Sequence, residues 1–205
     1  LNTSKFELEE IGSPLNFTWD KCKLETISYG HGIAITPLQA TATYAALANG
    51  GKIVEPSIIK KTINKDNKNN KMIISAETSN IMNKILRKVV TEKEGTASFA
   101  NIYGYEVGGK TGTSQKYGKE DENLNTFISI FPAKNPKYAL LVMLENPQVA
   151  TDLIYNYHGM KIKGTRNEAG WNSVYTTGKI IRKIGPILAI KNKEFYYKYV
   201  AKKSN

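Results

Sequence analysis

Two apolar runs, residues 126–132 (TFISIFP) and 138–145 (YALLVMLE), stand either side of the turn sequence Ala133-Lys134-Asn135-Pro136. Aromatic and branched runs of that length, joined by so short a turn, are adjacent antiparallel strands. No other stretch narrows the fold as much, because a sheet with an apolar face must be covered. Three candidate helices can cover it.

The first helix runs over 38–48, with Thr36 as N-cap, Pro37 at the first helical position and Asn49-Gly50-Gly51 as the stop. Ser75 caps the second, where Ile81, Met82, Ile85, Leu86, Val89 and Val90 recur at helical spacing. The third runs from about 171 to 184, with Val174, Thr177, Ile180, Ile181 and Ile184 on one side and Gly185-Pro186 as its end. Trp171 and Tyr175, one turn apart, are expected in its core contacts. Residues 1–28 read as irregular, 52–63 as extended, 66–70 as a polar turn and 71–74 as a short returning strand. A charged loop is expected over 116–125, and a polar stretch without regular structure from 147 to 170. Helices, then strands, then a helix make an α+β fold with an antiparallel sheet covered by helices.

Composition narrows the function classes. With 205 residues, 40% apolar and 10% aromatic, the chain has enough material for one buried core or two small ones. Its longest clearly apolar run, residues 138–144, is far short of the roughly 20 residues needed to cross a bilayer. The first thirty residues lack the layout of a signal peptide, and the sequence opens on Leu1 rather than Met, so it reads as a piece of something longer. A single cysteine, Cys22, excludes an internal disulfide framework and any multi-cysteine metal site. It has no neighbouring His or Asn to activate it. His31 sits between two glycines and His158 is isolated, so each reads as structural, and no His/Asp/Glu group has metal-ligand spacing. Asp121 and Glu122 read as loop charges rather than an acid/base pair.

The formal net charge of +11 raises the question of an anionic partner. All but three of the 29 cationic side chains (Arg87, Arg166 and Arg182) are lysine, whereas base readout and bidentate phosphate contacts favour arginine. No nucleic-acid partner is expected. The charge clusters over 60–71 and in a basic tail from 191, where Tyr196, Tyr197 and Tyr199 alternate with lysine, read as solvated faces. A non-enzymatic basic module using those clusters stays open as an alternative.

The sharpest chemical signal is Lys110-Thr111-Gly112-Thr113, and it has two incompatible readings. Residues 104–111, from Gly104 to Thr111, satisfy G-x-x-x-x-G-K-[ST], the phosphate loop of a nucleotide hydrolase. That loop needs a helix after the lysine, so that helix N-terminal amides face the phosphates, and TGTSQKYG is no helix former. The second reading is the K-T-G element of serine acyl-transfer enzymes. There an exposed strand sets an ammonium beside a hydroxyl, and the glycine clears space for a substrate laid along the strand.

The surroundings favour the second. SYGHGIAITPLQATATYAALANGG, then VEPSIIKK, GKTGTSQ and two strands ending in ENPQ together resemble, over residues 20–185, the class B penicillin-binding proteins, most closely the septal or division-type branch. That resemblance implies a five-stranded sheet, incomplete here, in a penicillin-binding transpeptidase or serine β-lactamase-like fold. It implies that Lys110 binds the substrate carboxylate and tunes a proton relay, and that Thr111 and Gly112 form the strand wall. Thr113 then bonds the carboxylate and lends an oxyanion N–H, with Ser114 opening the loop that borders the groove. Peptidoglycan stem peptides ending in D-Ala-D-Ala, and β-lactams, are the implied ligands, with divisome or elongasome proteins as partners. The implied parent lies in the cell inner membrane facing the periplasm. No cofactor or metal is implied.

One departure matters. The family's nucleophile lies in Ser-x-x-Lys on a helix and its proton shuttle in Ser-x-Asn, and this sequence has no Ser-x-Asn. Its one Ser-x-x-Lys, Ser57-Ile58-Ile59-Lys60, falls in an extended, β-branched stretch, so Ser57 reads as a strand residue rather than the nucleophile. The expectation is that residues 1–190 are the C-terminal, substrate-binding portion of a transpeptidase domain, inactive alone, and that 191–205 is a frayed tail. A β-lactamase or β-lactam sensor would share the KTG element without needing the SYGHG and TPLQ segment.

Overall fold

The computed structural model describes residues 19, 21–30, 32–59, 71–116 and 119–191. The expectations for residues 1–18, His31, the 66–70 turn, most of the 60–71 cluster and the tail beyond 191 fall outside the described residues.

Four helices and five strands are present among them. A short helix, α1 (Lys23–Ser28), stands where an irregular segment was expected. Helix α2 (Pro37–Ala48) has its expected bounds, with the Thr36 hydroxyl accepting the Gln39 N–H at 3.1 Å and Pro37 following the cap. Its end is closed by Gly50 and Gly51, both at positive φ, with the Gly51 N–H reaching the Ala46 carbonyl at 3.0 Å.

Helix α3 (Ala76–Thr91) is capped by Ser75, as expected, but buries a different stripe. Ser79, Asn83, Leu86 and Val90 face inward, while Ile81 and Ile85 are exposed. The reason is the frayed carbonyl end of α2. Ser79 Oγ donates to the Leu47 carbonyl at 2.5 Å, and Asn83 Nδ2 donates to that of Ala48 at 3.0 Å. Satisfying buried carbonyls outweighs burying two more isoleucines.

Strands β1 (Gly108–Lys116), β2 (Lys119–Phe131) and β3 (Tyr138–Glu145) form an antiparallel sheet in that order. β3 matches its expected range. β2 is longer than expected, because the charged stretch 119–125 continues the ladder with Ser114 opposite Leu124 and Thr113 opposite Asn125. Ladder bonds are made by backbone groups, so the pairing extends through residues of polar side chain.

The two faces of the sheet carry separate core clusters, and helix α3 contributes to both. Phe127 and Phe131 join Val90, Ala97, Val107, Val174 and Ile181 in the main core, beneath helix α4 (Ser173–Lys191) and a 3-10 turn at Ser98–Ala100. Ile130, of opposite parity on β2, packs with Ala48 of α2 and Leu86 of α3.

Two further differences from expectation follow from packing. Helix α4 does not end at Gly185-Pro186 but runs on to Lys191. A Cβ at 185 would strike the Tyr105 ring, so this glycine seats an aromatic side chain against the helix rather than ending it. A second hairpin, β4 (Ile154–Tyr157) and β5 (Met160–Lys163), occupies the stretch expected to be irregular. Its two-residue turn, His158-Gly159, has positive φ at both positions, as a type I′ turn requires.

Candidate functional site

The site is built on the edge of the sheet. Among the described residues β1 pairs with β2 alone, so its other edge carries no strand. Register then sorts the KTGT residues onto two faces. Thr111 stands opposite Phe127 and Thr113 opposite Asn125, so both belong to the α4 face, whereas Lys110 and Gly112 pair with Ile128 and Thr126 on the other.

Gly112 is there because of its neighbour: a Cβ at 112 would lie 2.5 Å from Thr126 Oγ1, which donates to the Gly112 carbonyl at 3.3 Å. Lys110 is exposed, its Nζ donating to the Thr111 carbonyl at 2.9 Å. The Thr111 and Thr96 hydroxyls are bonded at 2.9 Å. Thr113 Oγ1 accepts the Ala169 N–H at 3.3 Å, which leaves its own hydrogen to be donated elsewhere. The Ser114 hydroxyl points across the ladder to the Leu124 carbonyl at 3.4 Å.

Ser57 lies outside every described helix. Its hydroxyl donates to the Ile59 carbonyl at 2.7 Å and accepts the Ile59 N–H at 3.2 Å, a local turn rather than a helix start. The phosphate-loop reading also fails: after Lys110 the chain continues as strand to Lys116, where a phosphate loop needs a helix. Both lysine-rich clusters of the basic-module alternative fall largely outside the described residues. Among the described residues no group of His, Cys, Asp and Glu is placed to hold a metal. No described helix is long and apolar enough to cross a membrane.

Beside Thr111 and Thr113 opens a pocket of about 330 Å3, lined also by Glu94, Arg166, Glu168 and Trp171. Sequence reasoning assigned none of these four to the site. Phe99, Tyr157 and Trp171 of its lining belong to an aromatic cluster. The Phe99 ring lies 5.3–5.6 Å from those of Tyr155, Tyr157, Trp171 and Tyr175. Trp171 precedes α4 rather than opening it, but both it and Tyr175 make the ring contacts expected of them. Burial, and then the nearby Tyr175, raise the Tyr155 hydroxyl above the usual tyrosine range.

An antiparallel sheet between helical layers, with KTGT on an open edge strand beside a pocket, places the chain among the transpeptidase-type folds. Fold comparison agrees. The chain matches the apo TP domain of Burkholderia pseudomallei penicillin-binding protein 3 with a TM-score of 0.63 at 24% identity, over 81% of this chain and 47% of that one. Residues 3–165 match the penicillin binding protein transpeptidase domain, and the chain belongs to that family.

Its relatives include the probable peptidoglycan D,D-transpeptidase FtsI of Caulobacter vibrioides, 31% identical over 93% of this chain and 32% of the relative. Stage V sporulation protein D of Bacillus subtilis is 34% identical over 91% of this chain and 27% of its own length. The chain thus spans about a third or less of these curated relatives.

Proposed function

We propose that this chain supplies the substrate-binding wall of a division-type peptidoglycan D,D-transpeptidase, with β1 as the strand along which the stem peptide lies. The observation that carries this reading is the KTGT run on β1, whose other edge carries no strand among the described residues, with a Thr113 hydroxyl that accepts the Ala169 N–H and keeps its own hydrogen to donate. An ammonium and a hydroxyl from the two faces of one open strand edge suit the terminal carboxylate of D-Ala-D-Ala or of a β-lactam. Thr111, held by Thr96, continues that wall, and a Thr113 backbone N–H offers the oxyanion donor.

In the reaction, a serine oxygen attacks the penultimate D-Ala carbonyl, the peptide C–N bond breaks and D-Ala leaves with the proton. An amine on a neighbouring stem peptide then attacks the ester and releases the serine. Ser57 is not that serine, so this chain alone binds without turning over. Residues 1–190 are the C-terminal portion of the domain and 191–205 a basic tail. The whole protein is anchored in the cell inner membrane, faces the periplasm and works with division proteins.

Two measurements test this. Intact mass after incubation with excess benzylpenicillin should show no adduct, with Ser57→Ala as control; an adduct lost in that variant would make Ser57 the nucleophile. An N-acetylated peptide ending in D-Ala-D-Ala should bind, and Lys110→Ala or Thr113→Val should weaken it at least tenfold. Equal binding by all three proteins would remove β1 from the site.

A further inference from the structure

The β4–β5 hairpin carries a strand edge that the candidate site does not use. Its base is fixed. Tyr155 is buried, with its ring 4.9 Å from that of Tyr175 and 5.4 Å from those of Phe99 and Trp171. Gly164, just after β5, lies against the Ala150 carbonyl with no room for a Cβ. The other face of the hairpin is open to solvent: Ile154 is 67% exposed, and Asn156, Lys161 and Lys163 are exposed on the same face. Among the described residues β5 pairs with β4 alone, and neither lysine lines the pocket beside Thr111.

Register shows what this edge offers. The Gly164 N–H bonds the Leu153 carbonyl at 2.9 Å, and bonded pairs alternate with unbonded ones along an antiparallel ladder. Tyr155 with Ile162 and Tyr157 with Met160 are therefore the bonded pairs. Lys161, opposite Asn156, and Lys163, opposite Ile154, fall in the unbonded positions, so their own N–H and C=O groups point away from β4. Their side chains stand two residues apart on the solvent face. Among the described residues neither ammonium forms an ion pair. The same two residues thus present backbone donors and acceptors along the edge and uncompensated positive charge above it.

We propose that β5 is a docking edge for an acidic, extended segment of a partner protein, which adds to the hairpin as an antiparallel strand. In that arrangement the residues opposite Lys161 and Lys163 share the face of the two lysines, and carboxylates there make cross-strand ion pairs. The residue between them turns to the other face, beside the half-buried Ile162, and is apolar. The partner signature is Asp or Glu, an apolar residue, then Asp or Glu. A second copy of β5 is turned away from this edge, because its lysines would meet these ones. The inference goes beyond the transpeptidase reading and does not depend on it.

The test uses the whole chain and the blocked peptide acetyl-Thr-Thr-Glu-Val-Glu-Thr-Thr-amide, followed through backbone amide NMR signals. The amides of Lys161 and Lys163 should shift saturably and exchange more slowly with solvent when the peptide is bound. Glutamine in place of both peptide glutamates should weaken binding about fivefold or more, as should the double variant Lys161→Gln with Lys163→Gln. Reversal should restore it: Lys161→Glu with Lys163→Glu should prefer a peptide with lysines in place of the glutamates. Equal binding of the glutamate and glutamine peptides, or no saturable shift, overturns the inference. Charge-dependent binding without slower exchange at Lys161 and Lys163 also overturns it, since the face would then be a general anion patch; inorganic polyphosphate, which cannot form a strand, should cause no such slowing. The glutamine double variant should bind the N-acetylated D-Ala-D-Ala peptide as the parent chain does, so the two readings fail separately.

Discussion

Asn125, fully buried on β2, donates from Nδ2 to the carbonyl of Asn167 at 2.6 Å, and so ties the sheet to the segment that carries Arg166 and Glu168. The bond joins residues 42 apart in sequence. On the same face, one strand over, Thr113 holds the Ala169 N–H, so two bonds pin this segment above the candidate site.

Removing the first bond should therefore act on stability and on the pocket together. Asn125→Ala leaves a half-buried carbonyl with one donor fewer, and a cost of about 1–3 kcal/mol is expected from urea unfolding. The same variant, in a Trp19→Phe background, should shift the Trp171 emission, because the Trp171 N–H is held by the Glu168 carbonyl of that segment. A change below about 0.5 kcal/mol, within the range of ordinary surface substitutions, would mean the segment is held by other contacts.

Two glycines of β1 should respond differently to alanine. A Cβ at 109 would lie 2.5 Å from the Ile128 carbonyl and 2.6 Å from the Phe127 ring, neither of which can yield, so Gly109→Ala should cost about 3 kcal/mol or more. At 112 the obstacle is the Thr126 hydroxyl, so Gly112→Ala should cost about 1–2 kcal/mol and be largely relieved by adding Thr126→Ala. Strict additivity of the last two changes in a double-mutant cycle would refute the contact.

Phe99 is the hub of the aromatic cluster, with four ring neighbours within 5.6 Å. Phe99→Ala should cost about 3 kcal/mol, and Phe99→Leu less, because the leucine restores volume but not the ring-edge contacts. Thermal melting of the two variants checks the order. A leucine variant as unstable as the alanine one would point to a shape constraint instead.

Alkaline pH should destabilise the fold. Burial raises the hydroxyls of Tyr44, Tyr105 and Tyr155 above the ordinary tyrosine value of 10.0. Above pH 10 the unfolded chain gives up these protons while the folded chain keeps them. Their contribution is therefore complete below that pH and is lost as pH rises through the folded values. Ultraviolet titration should show tyrosinate forming late in the native protein, and urea midpoints should fall above pH 10. Midpoints that stay level to pH 11 would contradict this.

Much of the fold is legible from short-range signals. Thr36, Pro37 and Asn49-Gly50-Gly51 set both ends of α2, Ser75 starts α3, and the run 138–145 becomes β3. The His158-Gly159 hairpin was missed in a stretch expected to be irregular, although a His-Gly pair between Tyr-Asn-Tyr and Met-Lys-Ile is a turn signal between alternating residues. In the site, the KTGT strand could be read, because its residue types are unusual together. Arg166, Glu168, Thr96 and Asn125 could not, because nothing in their own neighbourhoods sets them apart from surface or strand residues.

By itself, then, the sequence determined the fold class, the capped helices, the paired strands and the KTGT element, all of which follow from interactions within a turn or two of chain. The tertiary structure decided the rest. Ladder bonds carried β2 back through charged residues, and the Tyr105 ring turned Gly185 from a helix stop into a packing seat. Register sent Thr111 and Thr113 to one face and Lys110 to the other. The pocket exists only because residues from 94 to 171 meet there. Local preferences are worth a few tenths of a kcal/mol per residue, and they yield where buried carbonyls must be paired or rings must be enclosed.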